Sequence, residues 1–285
     1  MNSPFSFQAH YRRATPAALR AVSLAALSML AAASQTLPAH ASHPSVSSAA
    51  PVDPMSKAKK TAAKVERDDA AADAIKRVYI EPSVLEISAD TPITAGDQDM
   101  VGWEIDRQLC FKISQRFEIA ATPDPDAGLI RTRIVAIKPT SKVGSAATAA
   151  ASFFIPAPVS IRGRAISGGL TVETILTAPG GSLAAQITWT KSVGGLSRVG
   201  PSLSPVGDAL QLADPFAKAV SKAFAAKESV KRRIGKPDPC ARFGPRRTAG
   251  RIVGGVLADL GTGLYVPSLA GAGRAPSGEA VAAKP

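Results

Sequence analysis

Apolar residues Val101, Ile105, Leu109 and Ile113 recur every four positions, with Trp103, Cys110 and Phe117 beside them. That spacing predicts an amphipathic helix over about 98–116, capped by Asp97 or Asp99. Leu210, Ala213, Phe216, Val220 and Phe224 repeat the pattern and predict a second helix over 206–227. Between the helices the period shortens to two. In 183–190, Leu183, Ala185, Ile187 and Trp189 alternate with Ala184, Gln186, Thr188 and Thr190, and Pro179-Gly180-Gly181-Ser182 supplies the turn from the strand before.

Shorter strands are expected at 76–87 around Pro82, at 117–121, and at 128–140. Pro123-Asp124-Pro125-Asp126 marks a sharp turn between the last two. The expected order is β-α-β-β-β-β-α. This is an α+β domain over 75–230, with two helices on one face of a largely antiparallel sheet of about five strands.

The flanks read differently. Arg12, Arg13 and Arg20 precede the apolar run AVSLAALSMLAAA (21–33), and Ala39-His40-Ala41 follows. A basic start, a short apolar core and an A-x-A site predict a signal peptide over 1–41, cleaved near Ala41. The apolar run is too short to span a bilayer. The Arg12-Arg13 pair leaves twin-arginine export open beside the general route. Residues 42–74 are Ala, Ser, Pro and Lys with few large apolar side chains, and are expected to be a disordered linker. The expected product is periplasmic or secreted.

Two further stretches bear on the membrane. Residues 143–161 carry no charge, and 250–271 are apolar and glycine-rich, including Gly250-x-x-x-Gly254. Pro156, Pro158, Asp259 and Pro267 argue against spanning helices in both, so no transmembrane span is expected in the mature chain. Contact with a membrane surface stays open for each.

The chain is basic, with 34 Lys and Arg against 22 Asp and Glu. Nine basic residues fall between Lys227 and Arg251 against two acids. Residues 231–285 are therefore expected to be a basic, then glycine-rich apolar, extension. Export argues against nucleic acid as the partner. Lys231, Arg232, Arg233, Arg246 and Arg247 are candidates to meet an anionic surface, such as phospholipid head groups. The alternative is a solvated tail that aids solubility.

Common catalytic chemistries have little to work with. The three histidines are His10, His40 and His43, so the expected domain has none. Histidine-dependent triads and imidazole metal ligands are excluded there. No phosphate-binding glycine motif and no metal-type cysteine spacing occurs. No cofactor and no metal are expected. Glu104, Asp106 and Glu173 are the carboxylates that acid–base chemistry would need, against a plainer surface or capping role. Ser221 and Lys222 are adjacent and point to different sides of a helix. Cys110 and Cys240 can bridge in an oxidising compartment, or remain as a buried and an exposed thiol.

The run RVYIEPSVLEI, a helix, FEIAATPDPDAGLIRTRIVAIKPT, the strand GGLTVETILTAPGG with Glu173, and a closing helix resemble an exported Gram-negative family. It is the domain-of-unknown-function family numbered 3313, and the likeness covers about 76–227. Many members carry a lipoprotein cysteine after the signal, and this chain has none there. The resemblance implies the fold order and the envelope compartment, and implies no activity. The expected function is a non-enzymatic envelope protein that binds another envelope component. Two alternatives stand beside it: a histidine-free hydrolase, and a peripheral membrane or lipid-handling protein.

Overall fold

The computed structural model describes residues 61–143, 160–162, 168–193, 195–197, 200–245 and 264–276. The expected signal peptide over 1–41, most of the uncharged stretch 143–161, and Arg246 and Arg247 lie outside them. The elements in chain order are β1 (Ala62–Arg67), α1 (Asp69–Ala74), β2 (Arg77–Ile80), β3 (Val84–Leu85) and α2 (Ala95–Ile113). They continue with β4 (Glu118–Ile119), β5 (Gly128–Lys138), β6 (Ser160–Arg162), β7 (Gly169–Thr177), β8 (Leu183–Ser192) and β9 (Gly195–Ser197). Helices α3 (Gly207–Phe224) and α4 (Pro267–Ala270) follow.

Seven strands form one sheet in the order β1-β8-β7-β5-β2-β4, with β3 also on β5. β6 and β9 form a separate antiparallel pair. The main sheet is mixed, which corrects the largely antiparallel expectation. β5, β7, β8 and β1 alternate in direction, whereas β2, β3 and β4 pair in parallel. The reason is the crossover through α2. A helix between two strands of one sheet returns the chain to run the same way. The turn at Pro123-Asp124-Pro125-Asp126 then brings the chain back to the level where β4 began, so β5 lies parallel to β2 on its other side. A turn signal does not say which strand becomes the neighbour.

Helix α2 starts at Thr94, not at Asp97 or Asp99. The Thr94 hydroxyl accepts from the Asp97 amide at 3.1 Å, and donates to the Asp97 carboxylate at 2.8 Å, a reciprocal cap on the first turn. Val101, Ile105, Leu109 and Ile113 are fully buried, as are Leu210, Ala213, Phe216, Val220 and Phe224 on α3. The two stripes share one core with Ile130, Ile134, Leu170, Val172, Leu176, Ile187 and Trp189 from the strands. Trp189 meets Phe216 edge to face, with ring centroids 5.7 Å apart. Even the polar pair on the core-facing side is matched, Thr132 to Thr174 at 3.3 Å between hydroxyls.

Order extends beyond the expected boundaries in both directions. Residues 62–67, expected in the linker, form β1 in register with β8 from Ala62↔Thr190 to Arg67↔Ala185. β1 is nearly all exposed, so backbone pairing and not apolar burial holds it, and a hydrophobicity pattern cannot reveal it. The extension after 230 is likewise built onto the domain: Cys240, Phe243, Ala270 and Ala272 are buried. Among the described residues no helix is long and apolar enough to cross a membrane.

Candidate functional site

Two surfaces carry the chemistry. The first is a strap, residues 225–245, that leaves α3 and crosses the end of α2. Cys240 forms a disulfide with Cys110, the bridge that the cysteine pair left open, with Cα atoms 5.8 Å apart and a sequence separation of 130. Nearby, the Arg242 guanidinium stacks over Tyr79 at 4.4 Å and Phe243 at 4.6 Å. It also donates to the carbonyls of Ile80 and Ala121. A planar cation on two rings with its N–H groups on backbone oxygens is an anchor. Counted only by charge, Arg242 belongs to the basic cluster; its surroundings remove it from the exposed set.

Closer to α3, the strap closes the end of α2. The Arg232 amide donates to Gln115 O at 2.9 Å and its Nε to Ser114 O at 3.2 Å. In return Arg116 donates to the carbonyl and hydroxyl of Ser229, each at 2.6 Å. The last carbonyls of a helix lack partners within it, and cations are favoured there. Arg232 is thus spent on helix capping. Lys231, Arg233 and Lys236 are exposed and enter no ion pair among the described residues. Of the five basic candidates, Lys231 and Arg233 are displayed, Arg232 is pinned, and Arg246 and Arg247 lie outside the described residues.

Under the strap sits Asp106, on α2. Its carboxylate accepts from the Ser83 amide at 2.9 Å. Burial pushes its pKa up to about 7, against the lowering effect of the Ser83 hydrogen bonds and the Arg242 charge. Two residues before it, Glu104 is fully buried. It accepts from Arg107, from Gln108 Nε2 at 2.8 Å and from the Gly273 amide at 3.0 Å. Arg107 also reaches Gly271 O at 3.3 Å. Gly273 has a φ of +62°, and a Cβ there would come 2.9 Å from Met100 Cβ, so glycine lets the carboxy-terminal segment approach. Both acids that sequence offered for acid–base work on this helix are therefore taken up in tying chain segments together. The i, i+3 and i, i+4 spacing of Glu104, Arg107 and Gln108 was a readable signal for the cluster; the link to Gly273 was not.

The second surface is the sheet face turned away from the core. Arg131 meets Glu81 at 2.9 Å, and Arg133 bridges Glu86 at 3.1 Å and Glu173 at 2.6 Å. The hydrogen bond that Arg133 donates to Glu173, with both carboxylates' charge, raises the Arg133 pKa. Glu173, the third candidate acid, is thus half-exposed in a cross-strand ladder. Glu81, Arg131, Arg133 and Glu173 line a groove of about 520 Å³ with Thr188 and Gln186. Its charges are mutually neutralised, and exposed pairs of this kind contribute about 0–1 kcal/mol each. No group of three or more His, Cys, Asp or Glu residues able to hold a metal occurs among the described residues.

Helices and a mixed sheet sharing one core, closed by a disulfide-pinned basic strap, define an α+β domain with no recognisable reaction centre among these contacts. The chain matches the family described as protein of unknown function, DUF3313, over residues 52–220, and it belongs to that family. No curated protein matches it. Among solved structures it is similar to a methionine-substituted PelC dodecamer from Paraburkholderia phytofirmans, at 14% identity and a TM-score of 0.34, over 59% of this chain and 99% of that one. A second PelC dodecamer from the same organism aligns at 14% identity and 0.33, over 58% and 98%. At those scores the likeness supports no inference about assembly or activity.

Proposed function

We propose that this protein is a non-enzymatic cell-envelope component, exported to the periplasm or beyond, that binds another envelope component by laying its basic strap on an anionic surface. The observation that carries the reading is the fixed display of Lys231, Arg233 and Lys236. The bridge to Cys110 holds the strap on one side and the Arg232–Ser114 contact on the other. A tail that served only solubility would have no use for such anchors. Each cation near an anionic bilayer contributes about 1 kcal/mol, so three held together give useful attraction without any pocket. The disulfide fits an oxidising compartment, and the exposure of Lys231, Arg233 and Lys236 fits a partner that supplies the negative charge.

Co-sedimentation with lipid vesicles tests the proposal. Binding to vesicles rich in anionic phospholipid, absent with zwitterionic ones and lost as salt rises, supports it. Equal binding to both, or binding to neither at low salt, defeats it.

A further inference from the structure

We propose that β1 pairs antiparallel with the β1 of a second copy of this chain, joining two sheets across a two-fold axis. β1 ends the sheet, and among the described residues only β8 pairs with it. It contains no proline and shows no register shift against β8. Exposed straight edges of this kind are templates for another strand, which proteins ordinarily guard against.

The direction of the backbone fixes which residues can pair. The Asp68 amide donates to Ala184 O at 2.9 Å, in line with the β1–β8 register. Antiparallel ladders alternate, so Ala62, Lys64 and Glu66 turn their backbone groups to β8. Ala63, Val65 and Arg67 turn theirs outward.

Charge then selects the register. A two-fold axis at residue 64 sets Lys64 opposite the partner's Lys64. An axis at residue 66 sets Glu66 opposite the partner's Glu66. Both are like-charge pairs and unfavourable. An axis at Val65 sets Lys64 opposite the partner's Glu66, and Glu66 opposite the partner's Lys64. These fall at non-hydrogen-bonded positions, where side chains come closest. The same register uses the outward backbone groups of Ala63, Val65 and Arg67 on both strands. It also brings Val65, 44% exposed in the single chain, against the partner's Val65 on the axis. Within one chain Lys64 and Glu66 already sit 2.7 Å apart, so the dimer closes them into an alternating set of four charges. A strand this short buries little area, so the pairing is weak and concentration-dependent.

Analytical ultracentrifugation of the purified protein from about 1 to about 500 μM reads the result. The wild type forms a dimer within that range. Val65→Pro removes only an outward N–H, which an edge strand tolerates, and gives a monomer throughout. Lys64→Glu weakens the dimer about tenfold by setting like charges face to face. Adding Glu66→Lys to Lys64→Glu restores it, which a merely damaged fold would not do. In the wild type, hydrogen exchange at the Ala63, Val65 and Arg67 amides slows as concentration rises. A wild type monomeric at the top of the range, or a dimer that Lys64→Glu leaves unchanged, overturns the proposal.

Discussion

Replacing both Cys110 and Cys240 with alanine tests whether the strap is part of the domain. The bridge joins residues 130 positions apart in sequence. In the chain-entropy model such a closure removes about 17 cal/mol/K from the denatured ensemble, about 5 kcal/mol at 25 °C. Measured losses fall short of that figure, typically 2–4 kcal/mol, because the unfolded chain retains structure. The folded side changes less, since Arg232, Arg242 and buried Phe243 still hold the strap. A loss of about 3 kcal/mol is therefore expected, or roughly 6–12 °C in melting temperature for a domain of this size. Urea unfolding followed by circular dichroism gives the free energy, and the slope should rise as the denatured chain, freed of the cross-link, exposes more surface. A double variant within about 0.5 kcal/mol of the wild type would mean that the strap is a loose tail.

Asp106 makes stability depend on pH. Its carboxyl titrates near 3.8 when free and at about 7 in the fold, so the fold favours the protonated form. Its contribution is full below pH 3.8 and is lost as pH rises through 7, at most roughly 4 kcal/mol at 1.36 kcal/mol per pH unit. Asp106→Asn flattens that decline between pH 4.5 and 7.5 in paired urea titrations; equal slopes in the two proteins refute the assignment. Glu104→Ala takes the carboxylate away from the buried Arg107 cation and the Gly273 amide, and should cost about 3–5 kcal/mol. Glu104→Gln, which keeps an acceptor, should recover part of it, and equal losses in the two variants would show that the negative charge, not the acceptor, carries the whole effect.

The core was legible because burial writes a period into the sequence. Every residue of the α2 stripe and of the α3 stripe is buried, and Ala185, Ile187 and Trp189 of β8 point into the core as their alternation required. Three features left no such trace. β1 is held by its backbone, so Ala63 and Lys64 could equally have belonged to a linker. The parallel pairing of β2 with β5 joins Val78 to Gly128, fifty residues away, and no local pattern encodes a neighbour at that distance. The strap showed as charge alone. Arg232 and Arg242 looked like Lys231 and Arg233 until the Ser114 carbonyl and the Tyr79 ring distinguished anchors from displayed cations. The cysteine pair was readable as a candidate bridge, since both residues lie in the expected domain and its extension and no third cysteine competes.

The most direct measurement is vesicle affinity after Lys231, Arg233 and Lys236 are all changed to alanine, with Arg232 kept to hold Ser114. At about 1 kcal/mol per cation, affinity for anionic vesicles at low salt should fall on the order of 100-fold. A control with Arg131→Ala and Arg133→Ala on the outer sheet face should bind as the wild type does. A strap variant that binds as tightly as the wild type, or a control that loses as much, would contradict the account.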